Sequence, residues 1–258
     1  VLIEPEGRNT APAVLAAAIW LAEREPEALI LAAPSDHVIP EPEAFRAAVA
    51  AAAERAAEGA LVTFGIAPTR AETGYGYLEL APGAEAGAAT PQPLARFVEK
   101  PDAARAAEMA ASGRHLWNAG IFLARADALR DAYARHAPEV LDGVAAALAG
   151  AEADLGFTRL ARGPWGALPD ISIDYAVMEK AEDLAVMPYA GRWSDLGGWD
   201  AVWQETGPDA DGTVAGPGAT AIDCRDTLLR AESEGQRIVG LGLEDIVAVA
   251  MPDAVLVA

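Results

Sequence analysis

The chain has 258 residues, 52% of them hydrophobic and 22% charged, which is enough to bury a full α/β core without staples. A formal net charge of −20 excludes a nucleic-acid backbone as partner, because such partners need a basic surface. No apolar run approaches the ~18–20 residues of a membrane helix. The N-terminal Val-Leu-Ile-Glu-Pro lacks the basic flank of a signal peptide. Cys224 stands alone, so there is no disulfide framework, which fits a reducing cytoplasm; it reads as a small buried apolar residue.

In chain order, Thr10 to Glu25 reads as a helix that Asn9 or Thr10 can cap, with Pro12 in its first turn. Its apolar face is Val14, Leu15, Ala18, Ile19 and Ala22. Ala28 to Ala33 is a continuous apolar run, as in a strand buried on both sides. A second helix covers Pro42 to Glu58 and ends at Gly59, and Leu61 to Ile66 is the next buried strand. Tyr77 to Leu80 and Leu94 to Val98 read as strands, Ala103 to Ser112 as a helix and Ala119 to Ala124 as a strand. Helices broken near Pro138 follow over Ala126 to Ala149, then a helix over Ser172 to Glu182 and a helical run from Trp199 to Glu205. Beyond Gly207 only short strands are expected, and no internal repeat is visible. This predicts an α/β fold with a Rossmann-like mixed sheet over 1–206 and a small all-β module over 207–258.

Several motifs sit where such a fold does chemistry. Pro34-Ser-Asp-His follows a strand end, placing Asp36 where open α/β sheets bind ligands; a turn or cap aspartate is the alternative. Trp193-Ser-Asp-Leu-Gly-Gly-Trp199 offers Asp195, again with a helix cap as the alternative. Two such carboxylates facing a polyphosphate would repel it unless a divalent cation such as Mg²⁺ intervened. Phe97-Val-Glu-Lys-Pro101 leaves Glu99, which can accept hydrogen bonds from sugar hydroxyls, and Lys100, which can meet a phosphate, at a strand end; an ordinary exposed Glu–Lys pair is the alternative. Thr73-Gly-Tyr-Gly-Tyr77 is a turn able to bring its backbone close to a ligand, with a purely structural turn as the alternative, and Asn118 precedes a buried strand with both a donor and an acceptor. His37, His115 and His136 form no metal-ligand spacing and read as surface or rim residues.

The order of these motifs is more informative than any one of them. Glu-Pro-Glu-Gly-Arg-Asn-Thr-Ala-Pro-Ala, Pro-Ser-Asp-His, Thr-Gly-Tyr-Gly-Tyr, Phe-Val-Glu-Lys-Pro, Trp-Asn-Ala-Gly-Ile-Phe, Ser-Ile-Asp-Tyr-Ala-Val-Met-Glu-Lys and Trp-Ser-Asp-Leu-Gly-Gly-Trp succeed one another. In this the chain resembles the bacterial mannose-1-phosphate guanylyltransferases of the sugar-nucleotidyltransferase superfamily. The resemblance implies a nucleotidyltransferase (GT-A-like) domain over 1–206 and the start of a β-helix-like domain over 207–258.

It also implies that Asp36 and Asp195 hold Mg²⁺, with Lys100 at the phosphate. Tyr75, Gly76, Tyr77, Glu99, Asn118 and Asp174 are implied as sugar contacts, and Arg8, Asn9 and Thr10 as nucleotide contacts. The implied substrates are GTP and mannose 1-phosphate and the product GDP-mannose, in the cytoplasm, with the β tail as a candidate for homodimer contacts. Another sugar-1-phosphate nucleotidyltransferase and a non-catalytic sugar-nucleotide-binding module are the alternatives. The family's N-terminal Gly-rich loop and Pro-Lys pair find no counterpart here, so the expectation is a fragment that is inactive as written.

Overall fold

The computed structural model describes residues 1–258, which cluster into two compact units. The first comprises Val1–Ser35 and Ile39–Trp193, the second Asp36–Val38 and Ser194–Ala258. In the first unit the order is β1 (Leu2–Ile3), α1 (Thr10–Ala22), β2 (Leu29–Ala32), α2 (Pro42–Ala57), β3 (Leu61–Ile66), β4 (Tyr77–Leu80) and β5 (Gln92–Val98). Then come α3 (Ala103–Ala111), β6 (His115–Arg125), α4 (Ala126–His136), α5 (Pro138–Ala149), β7 (Glu152–Asp154), β8 (Phe157–Arg159) and α6 (Arg162–Gly166). A π-helical turn over Asp174–Met178 leads to β9 (Leu184–Tyr189).

Six strands form one mixed sheet in the order β2-β6-β3-β9-β5-β4, with β3 parallel to β9 and antiparallel to β6. One face is packed with Leu15 and Ile19 of α1, Leu129 and Tyr133 of α4, and Val140 and Val144 of α5. The other takes the alanine stripe Ala48, Ala52 and Ala56 of α2 against Phe64, Ile121 and Tyr189. The result is the α/β layering expected from helices alternating with apolar strands.

Local departures have physical causes. α1 stops at Ala22, before the expected Glu25, where Pro26 forces its predecessor out of helical geometry. β2 is not buried on both sides: it lies at the sheet edge, pairs only with β6, and leaves Leu29 and Leu31 37% and 42% exposed. β9, absent from the expected elements, is buried at every residue and sits between β3 and β5. The helix expected over Ser172 to Glu182 is reduced to the π-helical turn, in which Glu179 N donates to Asp174 O, 2.9 Å away. His115 is buried rather than at the rim, its Nδ1 2.7 Å from Ser112 Oγ.

The second unit adds α7 (Trp199–Thr206) and the strands β10 (Val214–Ala215), β11 (Ala219–Ile222), β12 (Arg225–Ala231), β13 (Ile238–Leu241), β14 (Glu244–Ala250) and β15 (Val255–Val257). Parallel pairing of β10, β12 and β14, and of β11 with β13, coils the chain into a small β stack. It does contain a repeat, of 19 positions: Ala219 faces Ile238, Ile222 faces Leu241 and Leu228 faces Val247. The corners repeat too, with positive φ at Asp223 and Gly242 (52° and 60°) and at Asp226 and Asp245 (41° and 55°). What recurs is mainly backbone conformation, with residue identity kept at Asp226 and Asp245 and at Ala231 and Ala250. Cys224 is buried in this stack, as expected. In neither unit is a helix long and apolar enough to cross a membrane.

Candidate functional site

The ladder between β3 and β6 slips in register: Thr63 faces Phe122, yet Gly65 faces Asn118. The surplus residues lie on β6, where Gly120 takes φ 67°. A bulge of this kind re-aims a side chain, and here the side chain is Asn118. Its Oδ1 accepts from Thr63 Oγ1 at 2.8 Å and from Gly120 N at 3.3 Å, and its Nδ2 donates to Asp174 Oδ1 at 2.9 Å. Its backbone N donates to Gly76 O at 2.8 Å, tying the Gly-Tyr-Gly-Tyr turn to β6. Asn118 thus uses both ends of its amide inside the protein.

Glu99 follows β5, and Pro101 ends further pairing. Its backbone N donates to Glu179 Oε1 at 2.9 Å, which anchors the strand end beside the π-helical turn. The side chain is only 9% exposed; Oε1 lies 3.8 Å from Lys100 Nζ, and Oε2 is buried with no hydrogen-bond partner. Burial, then the Asp174 charge, pushes the Glu99 carboxyl up to about 7, with Lys100 pulling the other way and Glu179 adding to the rise. Asp174 is raised as well, chiefly by burial, against hydrogen bonds from Ser172 and Asn118 and the charge of Lys100. Gly76 is required by close approach: a Cβ there would run into Glu99 Oε2 and stand 3.1 Å from the Phe97 ring. Glu99, Lys100 and Asp174 border a cavity of about 550 Å³, together with Asn9, Thr10 and Asp170. Carboxylate acceptors beside one ammonium suit a neutral polyol bearing an anionic group.

The N-terminal candidates divide. Asn9 caps α1, its Oδ1 accepting from Thr10 N at 2.9 Å while Nδ2 donates to Asp170 Oδ1 at 3.1 Å. Thr10 Oγ1 accepts from Ile173 N at 3.0 Å. The Arg8 guanidinium instead serves the protein itself, donating to Gly166 O and pairing with Glu6, while Trp165 Nε1 donates to Glu6 O at 2.8 Å. Tyr75 is half-buried, its ring 5.3 Å from that of Trp117 and 5.4 Å from that of Trp193. The Tyr77 side chain is fully buried and its hydroxyl accepts from Glu72 N at 2.9 Å, so that side chain is not left for a ligand.

Asp36 and Asp195 belong to the second unit. A two-residue bridge joins their segments: Val38 N donates to Ser194 O at 2.8 Å, and Ser194 N to Val38 O at 3.1 Å. Asp36 is exposed, and Asp195 Oδ1 accepts from Gly197 N at 3.0 Å. Both carboxylates bear on one imidazole: burial lowers the His37 pKa, while the charges of Asp36 and Asp195 act to raise it. No group of three or more His, Cys, Asp or Glu side chains is placed to hold a metal ion. Two carboxylates are nevertheless the donor set that Mg²⁺ uses when phosphate oxygens and water complete its shell.

Thr63, Gly120 and Glu179 were not among the residues expected at the site. Thr63 had a faint signal, as the one hydroxyl in the apolar run Leu61 to Ile66. Gly120 and Glu179 act through backbone geometry and a backbone contact, which leave little trace in side-chain chemistry.

The nucleotidyl transferase family model matches residues 1–211. The chain is 42% identical over 258 residues to the xanthan biosynthesis protein XanB of Xanthomonas campestris pv. campestris (strain B100), covering 100% of this chain and 53% of that one. To the mannose-1-phosphate guanylyltransferase of Sinorhizobium fredii (strain NBRC 101917 / NGR234) it is 41% identical, covering 100% of this chain and 49% of that one. The chain therefore spans about half the length of these relatives. The crystal structure of a mannose-1-phosphate geranyltransferase from Thermus thermophilus superposes with a TM-score of 0.82 at 35% identity, covering 99% of this chain and 72% of that one.

Proposed function

We propose, for a chain that belongs to the nucleotidyl transferase family, the activity of a mannose-1-phosphate guanylyltransferase: GTP and mannose 1-phosphate give GDP-mannose and pyrophosphate. The observation that carries this reading is the border of a cavity of about 550 Å³, where Glu99 and Asp174 stand with Lys100, whose ammonium is 3.8 Å from Glu99 Oε1. Carboxyl acceptors and one ammonium on a single wall match a polyol that carries a phosphate. The names of the relatives called mannose-1-phosphate guanylyltransferase, at 38–41% identity, support the choice of sugar and base.

In this reading Glu99 and Asp174 accept hydrogen bonds from mannose hydroxyls and Lys100 meets the phosphate. The phosphate oxygen of mannose 1-phosphate attacks the α-phosphorus of GTP in line, and the bond to the β-phosphate breaks to release pyrophosphate. No covalent enzyme intermediate forms, so positioning and charge neutralisation carry the rate. Asn9 and Thr10 position the nucleotide, and Arg8 acts there by holding their loop. Asp36 and Asp195 hold Mg²⁺, whose chemistry when bound is to neutralise phosphate charge and orient the triphosphate. The catalytic domain is taken as 1–206 and the β module as 207–258, with the protein cytoplasmic beside its soluble substrates and the β module as the candidate homodimer contact.

The test is pyrophosphate release by the full-length protein from GTP with mannose 1-phosphate, run beside ATP, UTP and dTTP. Preference for GTP is the expected outcome. Preference for another nucleotide would replace this reading with a different sugar-1-phosphate nucleotidyltransferase. GDP-mannose binding without any turnover would replace it with a binding module.

A further inference from the structure

We infer that Thr63 is a positioning residue for the sugar pocket: its hydroxyl clamps the β6 bulge and fixes which end of the Asn118 amide faces Asp174. The inference rests on the reading of that pocket as the seat of a sugar phosphate. Thr63 lies in the middle of β3, fully buried and flanked by Val62 and Phe64. A hydroxyl in such a place is costly unless bonded. Its Oγ1 is 2.8 Å from Asn118 Oδ1 and 3.2 Å from Ile121 O, which are two points of the bulge. Both are acceptors, so the hydroxyl donates, and it spans the distortion that aims Asn118.

An asparagine amide can turn by 180° with little change in shape, so its partners decide its orientation. Three partners agree here. The Thr63 hydroxyl and Gly120 N are donors that require the oxygen on their side, and the Asp174 carboxylate requires the NH₂ on its own. A flipped amide would set its oxygen against the carboxylate of Asp174. That carboxylate borders the cavity, whereas Thr63 does not. Thr63 therefore acts through Asn118 on the wall that meets the ligand, without touching the ligand itself.

The experiment titrates the full-length protein with mannose 1-phosphate in the wild type, Thr63→Val, Thr63→Ser, Asn118→Ala and the Thr63→Val/Asn118→Ala double variant. Valine keeps the shape and removes the donor, and is expected to weaken binding roughly tenfold. Serine keeps the donor and restores wild-type affinity. In the Asn118→Ala background Thr63→Val has no further effect, because the two residues form one path. Wild-type affinity in Thr63→Val, equal loss in Thr63→Ser, or additive losses in the double variant would each overturn the assignment.

A second readout needs no sugar. The Asn118 side-chain amide signals in ¹⁵N-labelled protein are expected to be shifted and slowly exchanging in the wild type, and to lose both properties in Thr63→Val. If the wild type does not bind mannose 1-phosphate, the pocket reading falls, while the amide signals still decide the role of Thr63. Should Thr63→Val fail to fold, Thr63→Cys, similar in volume and a poor donor, takes its place in both measurements.

Discussion

Two pairs of acids stand in contrasting settings. Glu99 and Asp174, in the first unit, are withdrawn from water and wired to a strand end, a bulge and a π-helical turn, and burial raises the pKa of both. Asp36 and Asp195, in the second unit, flank a two-residue bridge; Asp36 is open to solvent and Asp195 only partly covered. Desolvation suits the first pair to neutral hydroxyls, whose hydrogen bonds gain strength in a dry site and whose lack of charge spares the carboxyls a counter-ion. An open pair of like charges suits a hydrated cation, which brings its own water and needs no sealed cage. Acids of one chemical kind thus differ in how much water the surrounding strands leave them, and on that difference rests the proposal that they serve different tasks.

The largest expected effect removes the open pair. Asp195→Asn is expected to lower kcat in the full-length protein by roughly 10²–10³-fold or more, because charge neutralisation at the phosphates is lost while the fold stays intact. Turnover measured by pyrophosphate release, beside an unchanged thermal midpoint, checks it. Unchanged turnover would remove Asp195 from the site and with it one side of the comparison.

The buried pair predicts a smaller effect with a definite pH sign. Glu99 has its carboxyl raised from 4.5 to about 7, so between those values the folded state holds a proton that the unfolded state has lost. Stability therefore falls as pH rises through this window, and the full penalty of the buried charge applies above it. Glu99→Gln removes the penalty and is expected to stabilise the protein at pH 8, relative to pH 4, by about 1–2 kcal/mol, allowing for the solvent that still reaches the carboxyl. The same change is expected to weaken mannose 1-phosphate binding roughly tenfold at pH 8, where the wild type presents the better acceptor. Denaturation midpoints and calorimetric titrations at both pH values check the pair of outcomes. A Glu99→Gln variant destabilised at pH 8 would show that the carboxylate is not withdrawn from water.

How much of this could be read in advance depended on whether a feature is carried by residue type or by conformation. α2 and β3 were legible because Pro42 opens the helix, Gly59 closes it and a continuous apolar run follows. The same kind of run misled at β2, since Leu29 to Ala32 would look alike at the edge or the centre of a sheet. β9 carries Pro188 within it and was hidden, although it lies in the sheet interior. The 19-position coil was hidden because Asp223 and Gly242 share a positive φ and not a side chain. At the site, the ordered motifs named Glu99, Lys100 and Asp174, which share one cavity border. The β6 bulge that aims Asn118 was not, because a register slip has no composition.

The smallest effect concerns Asn9, where conformation and chemistry meet in one residue. Asn9 has φ 64° and ψ −168°, a region nearly reserved for glycine, yet its side chain caps α1 and bonds Asp170. Asn9→Ala would keep the strain and lose the cap, and is expected to cost about 1–2 kcal/mol. Asn9→Gly would lose the cap and relieve the strain, leaving stability within about 0.5 kcal/mol of wild type. If Asn9→Gly keeps the thermal midpoint but loses affinity for GDP-mannose, the strained asparagine is retained for the ligand rather than for the helix. If it keeps both, the residue is only a cap, and the nucleotide contact belongs to Thr10 and the backbone of the loop that Arg8 holds.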